Sequence, residues 1–181
     1  MLFVSLSIEI FIAVIVALLI AVAGVFFILK ESKKKKLYLT QVVYTLMQEK
    51  FEDVNHDEKI NLYDVSFKYN NKNFFIKIYK GGPRKGIIMT NPTTIFDVTY
   101  TSPYGPSTNK EVDTKLTSFL VEPLDGIKII LIKNNMLRMT KYINENEIVE
   151  IKYNVPSFNT FIVQEKDLDS FIEFIKNSKK K

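Results

Sequence analysis

The residue whose surroundings best fit chemistry is Asp64. It sits in a stretch, residues 62–69, that alternates strictly: Tyr63, Val65, Phe67 and Tyr69 fall on one face, and Asp64, Ser66 and Lys68 on the other. A carboxylate on the polar face of a half-buried strand is either a solvated side chain or one ligand of a divalent cation. The second role needs at least two hard oxygens converging on one ion. Two other acids are candidates to complete such a site: Glu49, on a helical stretch that precedes the strand, and Asp97, in an otherwise apolar strand. The single histidine, His56, lies in the polar run Asn55-His56-Asp57-Glu58 and reads as a surface residue. With no cysteine and one histidine, thiolate chemistry, disulfides and paired-histidine catalysis are excluded. The run from Gly81 to Gly86 sets glycines beside Arg84 and Lys85. That composition can cradle an anion, but it lacks the strand-to-helix setting of a phosphate loop, and a plain turn is the stronger reading.

The segment after Asp64 carries the most information. Asn70-Asn71-Lys72-Asn73 is turn chemistry, because asparagine tolerates positive φ, and residues 74–80 return as the second strand of a hairpin ending Ile76-Lys77-Ile78-Tyr79-Lys80. A helix, a strand bearing an acid, a turn and a strand ending in this way resemble the core of the PD-(D/E)xK nuclease superfamily, in its nuclease-related-domain form. The later order loosely continues the resemblance: an amphipathic helix, an apolar strand at 127–132, and Phe161-Ile162-Val163-Gln164-Glu165-Lys166-Asp167-Leu168 entering a last helix.

The resemblance implies that Asp64 is a metal ligand, with Mg or Mn as the cofactor, that Glu49 is an accessory ligand, and that Lys80 is the lysine that helps activate water. It also implies a Glu on the second strand, and hairpin spacing puts that position on Lys77 or Ile78, neither of which binds a metal. If Ile78 is the match, Lys80 keeps the family's lysine; if Lys77 is, Tyr79 replaces it. The motif is therefore degenerate, and a domain that has lost cleavage is the reading it favours.

Other elements must position these residues. Residues 37–51 read as a helix with Leu39, Val42, Val43, Leu46 and Met47 on one stripe, and 51–59 as a polar loop. Residues 86–90 and 94–101 are strand candidates split by Asn91-Pro92, and 102–109 is a loop. A helix is expected over 109–121, its stripe Val112, Leu116, Phe119 and Leu120, with Thr108 and Glu111 spaced as a capping box. Residues 127–132 form a central strand, 136–143 fits either type, 147–153 and 158–163 are strands, and 167–175 is a closing helix. The order argues an α+β domain with a mixed β-sheet flanked by helices. The chain carries no internal repeat.

The N-terminal part is of another kind. Residues 10–29 are uncharged, and such a helix at 1.5 Å per residue spans a hydrocarbon core of roughly 30 Å. Lys30 and Lys33 to Lys36 follow at once, with Glu9 on the other side, so the positive-inside rule puts the N-terminus outside and the domain in the cytosol. The competing reading is a cleaved signal peptide, with Ala21-Val22-Ala23 as cleavage site; the basic n-region is missing and the apolar run continues through Leu29. The division that follows is an anchor at 1–29, a basic juxtamembrane segment at 30–36, a cytosolic domain at 37–175 and a basic tail at 176–181. Membrane lipid is then a partner through residues 2–36. Ala13, Ala17 and Ala21 recur every fourth residue, a spacing that lets two such helices approach as a homodimer.

The formal charge of +5 belongs to the flanks: nine of the 25 Lys and Arg lie at 30, 33–36, 176 and 179–181, leaving 16 against 18 acids in the body and a net −2 there. A duplex-binding domain is usually basic as a body, so this distribution argues against a nucleic-acid partner. The 23 Phe and Tyr fall mostly at core spacings rather than as a base-stacking platform. Richness in Lys, Ile, Asn and Phe without Trp points to an AT-rich bacterial coding sequence.

Two functions follow. One is a non-catalytic module on the membrane that binds an unidentified protein or a lipid surface and needs no cofactor. The other is a metal-dependent nuclease in which Glu49 or Asp97 completes a displaced site with Asp64.

Overall fold

The computed structural model describes residues 2–56, 62–144 and 147–178, and their side chains apart from those of 2–13 and 32–39. Ala13 and the lysines at 33–36 therefore lie outside the described side chains. The chain divides into two compact units, Met1–Val42 and Val43–Lys181.

A single helix, α1 (Leu2–Lys50), accounts for the first unit and enters the second. With no proline, and with its one glycine at Gly24, nothing in the sequence interrupts it. Its window Val14–Glu31 is long and apolar enough to cross a membrane by length and composition, and none of it is buried. Ala17 and Ala21 are exposed within that window.

The second unit holds two five-stranded sheets where the sequence predicted one. The first has the order β1-β2-β3-β7-β10, built from β1 (Glu52–Asn55), β2 (Val65–Tyr69), β3 (Lys72–Lys80), β7 (Ile127–Lys133) and β10 (Thr160–Gln164). The second has the order β6-β5-β4-β8-β9, from β4 (Lys85–Asn91), β5 (Thr94–Tyr100), β6 (Ser107–Val112), β8 (Arg138–Asn144) and β9 (Glu147–Glu150). Both are mixed. β3 runs parallel to β7, and β4 parallel to β8, so the two neighbouring chains leave the first sheet together and re-pair in the second.

The two chains lie close at this corner. A Cβ on Gly81 would sit 2.7 Å from the Asn134 carbonyl oxygen, and one on Gly86 would sit 2.7 Å from that of Arg138. These two glycines are explained by backbone approach.

The first sheet is buried on both faces, which is why β7 reads as a continuous apolar run. On one face pack Val43 and Met47 of α1 and Leu168, Phe171, Ile172 and Ile175 of α3 (Leu168–Asn177). On the other, Ile130, Ile132 and Ile162 meet Leu116, Phe119 and Leu120 of α2 (Thr114–Val121) and the inner face of the second sheet.

Three expectations are corrected. The polar loop over 51–59 contains β1, an edge strand whose register against β2 shifts between Glu52 and Asn55, with Asp53 at φ 51°. A bulged edge with one apolar residue, Val54, leaves no alternation to detect. The helix expected over 109–121 begins only at Thr114. Ser107–Val112 pairs with β5 instead, so cross-strand hydrogen bonds override the helical pattern, and Val112 is exposed rather than part of the helix stripe. The cap is Asp113, whose Oδ1 accepts from Leu116 N at 2.8 Å, and not Thr108. The ambiguous stretch 136–143 is strand from Arg138 on, as β8, with Met139 on its inner face and Met136 buried just before it.

Candidate functional site

Asp64 is the last residue before β2, and β2 is held to β3 through the register Val65↔Ile76. The turn that sets this register is a two-residue loop with Asn70 at φ 53° and Asn71 at φ 60°. Both central residues in the left-handed region make a turn whose twist suits a hairpin.

Asp64 is 5 % exposed, so the solvated placement suggested by alternation alone is corrected. Its N–H donates to Ile76 O at 2.8 Å, and its Oδ2 accepts from Ile78 N at 2.7 Å. The carboxylate thus takes over from the backbone as acceptor where the β2 ladder ends. Its own carbonyl oxygen accepts from His56 Nδ1 at 2.8 Å, which fixes that ring nitrogen as the protonated one. His56 is half-buried and helps hold the start of β2, so the surface assignment is corrected as well.

The β2–β3 register ends at Val65↔Ile76, and the Asp64 N–H reaches the same Ile76 carbonyl; the next residue of β3, Lys77, is 6 % exposed. Lys77 also lies beside Ile130 of β7, on the face that α2 and the second sheet cover.

The other implied site residues are elsewhere. Glu49 is exposed in the last turn of α1, in a groove with Lys68, Tyr69, Asn70 and Asn71 at the turn end of the hairpin. Asp64 is at the opposite end of β2, about 16 Å away along the strand at 3.3 Å per residue. Lys80 is exposed and, three residues after Lys77, points to the opposite face of β3. Among the described residues, no group of three or more His, Asp and Glu is placed to hold a metal ion.

Asp97 has partners that sequence reasoning missed. Lys85 Nζ donates to its Oδ2 at 2.6 Å, and the Tyr79 phenol lies against the same carboxylate. Burial first, and the neighbouring Asp97 carboxylate second, push the Tyr79 hydroxyl well above the usual phenol range. The signal was the β4–β5 hairpin: its register pairs Ile87 with Asp97 and Lys85 with Thr99, which brings Lys85 within reach. With Lys85 committed to Asp97, the Gly81–Gly86 run keeps Arg84 as its cation, and the turn reading is favoured.

Lys128 caps α2. Its Nζ donates to Glu122 O at 2.6 Å and to Leu120 O, covering carbonyls at the helix end. Burial lowers its pKa, and Glu122 partly offsets this.

An open groove of about 780 Å³ borders β1, β2 and β3, with Asp53, Asn55, Ser66, Lys68 and Asn73 among its lining. It is polar and shallow, and it presents neither Asp64 nor Lys77. Comparison with known proteins finds no family model, no curated relative and no solved structure that matches this chain.

Proposed function

We propose that this chain is a single-pass membrane protein whose α+β domain is a non-catalytic binding module on the cytosolic side, with a degenerate nuclease-like core. In this reading α1 spans the bilayer over residues 10–29, and the lysines at 30 and 33–36 retain the domain on the side where they lie. The module recognises a protein or lipid surface and uses no cofactor.

The observation that carries the reading is the pairing at the hairpin. Asp64 spends one carboxylate oxygen on the Ile78 N–H, and the two positions where the resemblance calls for an acid hold the buried Lys77 and Ile78 itself. A divalent cation needs at least two hard oxygens on one ion, and neither of these positions supplies the second. The placement of Glu49 at the other end of the strand agrees with this.

The test is a nuclease assay on the purified full chain with Mg²⁺ or Mn²⁺, on single- and double-stranded substrates. No cleavage above that of Asp64→Ala is expected. Metal-dependent cleavage that Asp64→Ala abolishes, with the fold intact by circular dichroism, would overturn the reading and turn attention to Asp97 as the second acid.

A further inference from the structure

We infer that the corner where the chain passes twice from the first sheet to the second binds a phosphate group, gripped by Arg84 and Arg138. The two crossing segments, 80–86 and 133–138, hold five basic residues (Lys80, Arg84, Lys85, Lys133 and Arg138) and no acid, although the body as a whole has more acids than bases. The strand registers bring the segments together: Lys80 pairs with Lys133, and Gly86 with Arg138. Two of the five are already spent, Lys85 on Asp97 and Lys133 on Glu165. Lys80, Arg84 and Arg138 are exposed, and none of them forms an ion pair among the described residues. Their charge is left to attract an anion from solution.

The kind of cation separates this corner from an ordinary basic surface. The chain has 23 lysines and two arginines, and both arginines are here. A guanidinium presents a flat fork of N–H donors that meets two phosphate oxygens at once, where an ammonium is a point charge. Arg138 is held in place before any ligand arrives. Its guanidinium carbon lies 5.1 Å from the centre of the Tyr100 ring, and its Nη2 donates to Pro103 O at 3.2 Å. The ring rests across Gly86, where a Cβ would come within 2.8 Å of it, so the glycine lets this platform form. Tyr100 N donates to Arg84 O at 2.9 Å, which ties Arg84 to the same tyrosine. Neighbouring strands lie about 4.8 Å apart, and Arg84 is two residues, about 7 Å, from Gly86, so the two arginines are close enough to reach one ligand. The run 81–86 is by itself a turn; the crossing chain supplies the second arginine. Phosphate is the anion the charges select. A phosphate monoester carries a charge of about −2 and three terminal oxygens, enough for both forks. A carboxylate, with one charge and two oxygens, fills a single fork. The site is separate from the hairpin at Asp64 and does not depend on how the chain meets a membrane.

The experiment titrates the full chain in detergent, at constant ionic strength, with inorganic phosphate and separately with dioctanoyl phosphatidic acid, and follows the heat of binding. Saturable binding of phosphate is expected. Arg84→Gln and Arg138→Gln should each weaken it about tenfold, the worth of one charge-assisted contact. Lys72→Gln, which removes an exposed charge at the other end of β3, should leave it unchanged. Arg138→Gln also takes a contact from Tyr100; Arg84→Gln has no ion pair or side-chain hydrogen bond to lose among the described residues, so it keeps the test decisive if the first variant unfolds. Phosphatidic acid that binds more tightly than inorganic phosphate, with the same dependence on both arginines, identifies a lipid headgroup as the source; equal or weaker binding identifies a soluble phosphate ester. No saturable binding of either probe, binding that survives both arginine substitutions, or an equal loss in Lys72→Gln would each overturn the inference.

Discussion

Asp64 stands out by residue type and spacing, yet its environment was invisible to both. Alternation put Tyr63 on the face of Val65, Phe67 and Tyr69, yet Tyr63 packs against Phe75 in the other core cluster, so the period breaks at Asp64; alternation carries no information about where a ladder stops. Because β2 begins at Val65, the next N–H of β3 needs an acceptor, and the Asp64 side chain supplies it. Lys77 was legible only as a residue that could not replace an acid; its burial beside Ile130 of β7 was not. Asp64→Ala should cost about 1–3 kcal/mol by leaving the Ile78 N–H without its partner. Asp64→Asn keeps an acceptor oxygen and should cost less. Glu49→Ala and Lys80→Ala, at exposed positions, should stay within about 0.5 kcal/mol of wild type. Denaturant unfolding of the full chain in detergent measures all four. A loss at Glu49 or Lys80 as large as at Asp64 would contradict the roles assigned to them.

Elements were legible where period and turn chemistry agreed. The β2–β3 hairpin announces itself through clean alternation on either side of Asn70-Asn71, and both asparagines adopt the positive φ that their type allows. The apolar run of β7 identified a strand covered on both sides. β1 and β6 were illegible because both are edge strands: all but one of their residues are exposed, so burial never wrote a period into them. At β6 the helical spacing of Val112, Leu116, Phe119 and Leu120 ran unbroken through the strand, and Asp113, the residue that stops it, was hidden behind a better-looking capping box. The second sheet was unreadable for a related reason. Nothing in β3 or β7 alone says that each turns a corner and continues; that depends on the close approach at Gly81 and Gly86. The facing of β2 gives a sharp test. Val65 has no exposed surface and Ser66 is half-buried on the other side, so Val65→Asp should unfold the domain, at several kcal/mol for an unpaired buried carboxylate, and Ser66→Asp should be tolerated. Thermal melts decide it, and equal losses would contradict the facing.

At the scale of the whole molecule, the proposal joins an apolar helix, a basic segment and a domain with a slightly acidic body. The charge distribution matters more than its total: with nine of 25 basic residues on the flanks, the positive charge is placed to meet headgroups and not to coat the fold. The absence of cysteine makes the arrangement directly testable, because a single introduced cysteine is a unique label. Lys152 is exposed in the domain, so Lys152→Cys provides a site without disturbing the core. The measurement is labelling of this variant by a membrane-impermeant maleimide, in intact bacterial cells and again after the membrane is opened. The account predicts no labelling of the intact cells and full labelling once they are permeabilised. Labelling of the introduced thiol from outside sealed cells would contradict it, whether the helix had been cleaved as a signal peptide or inserted in the opposite sense.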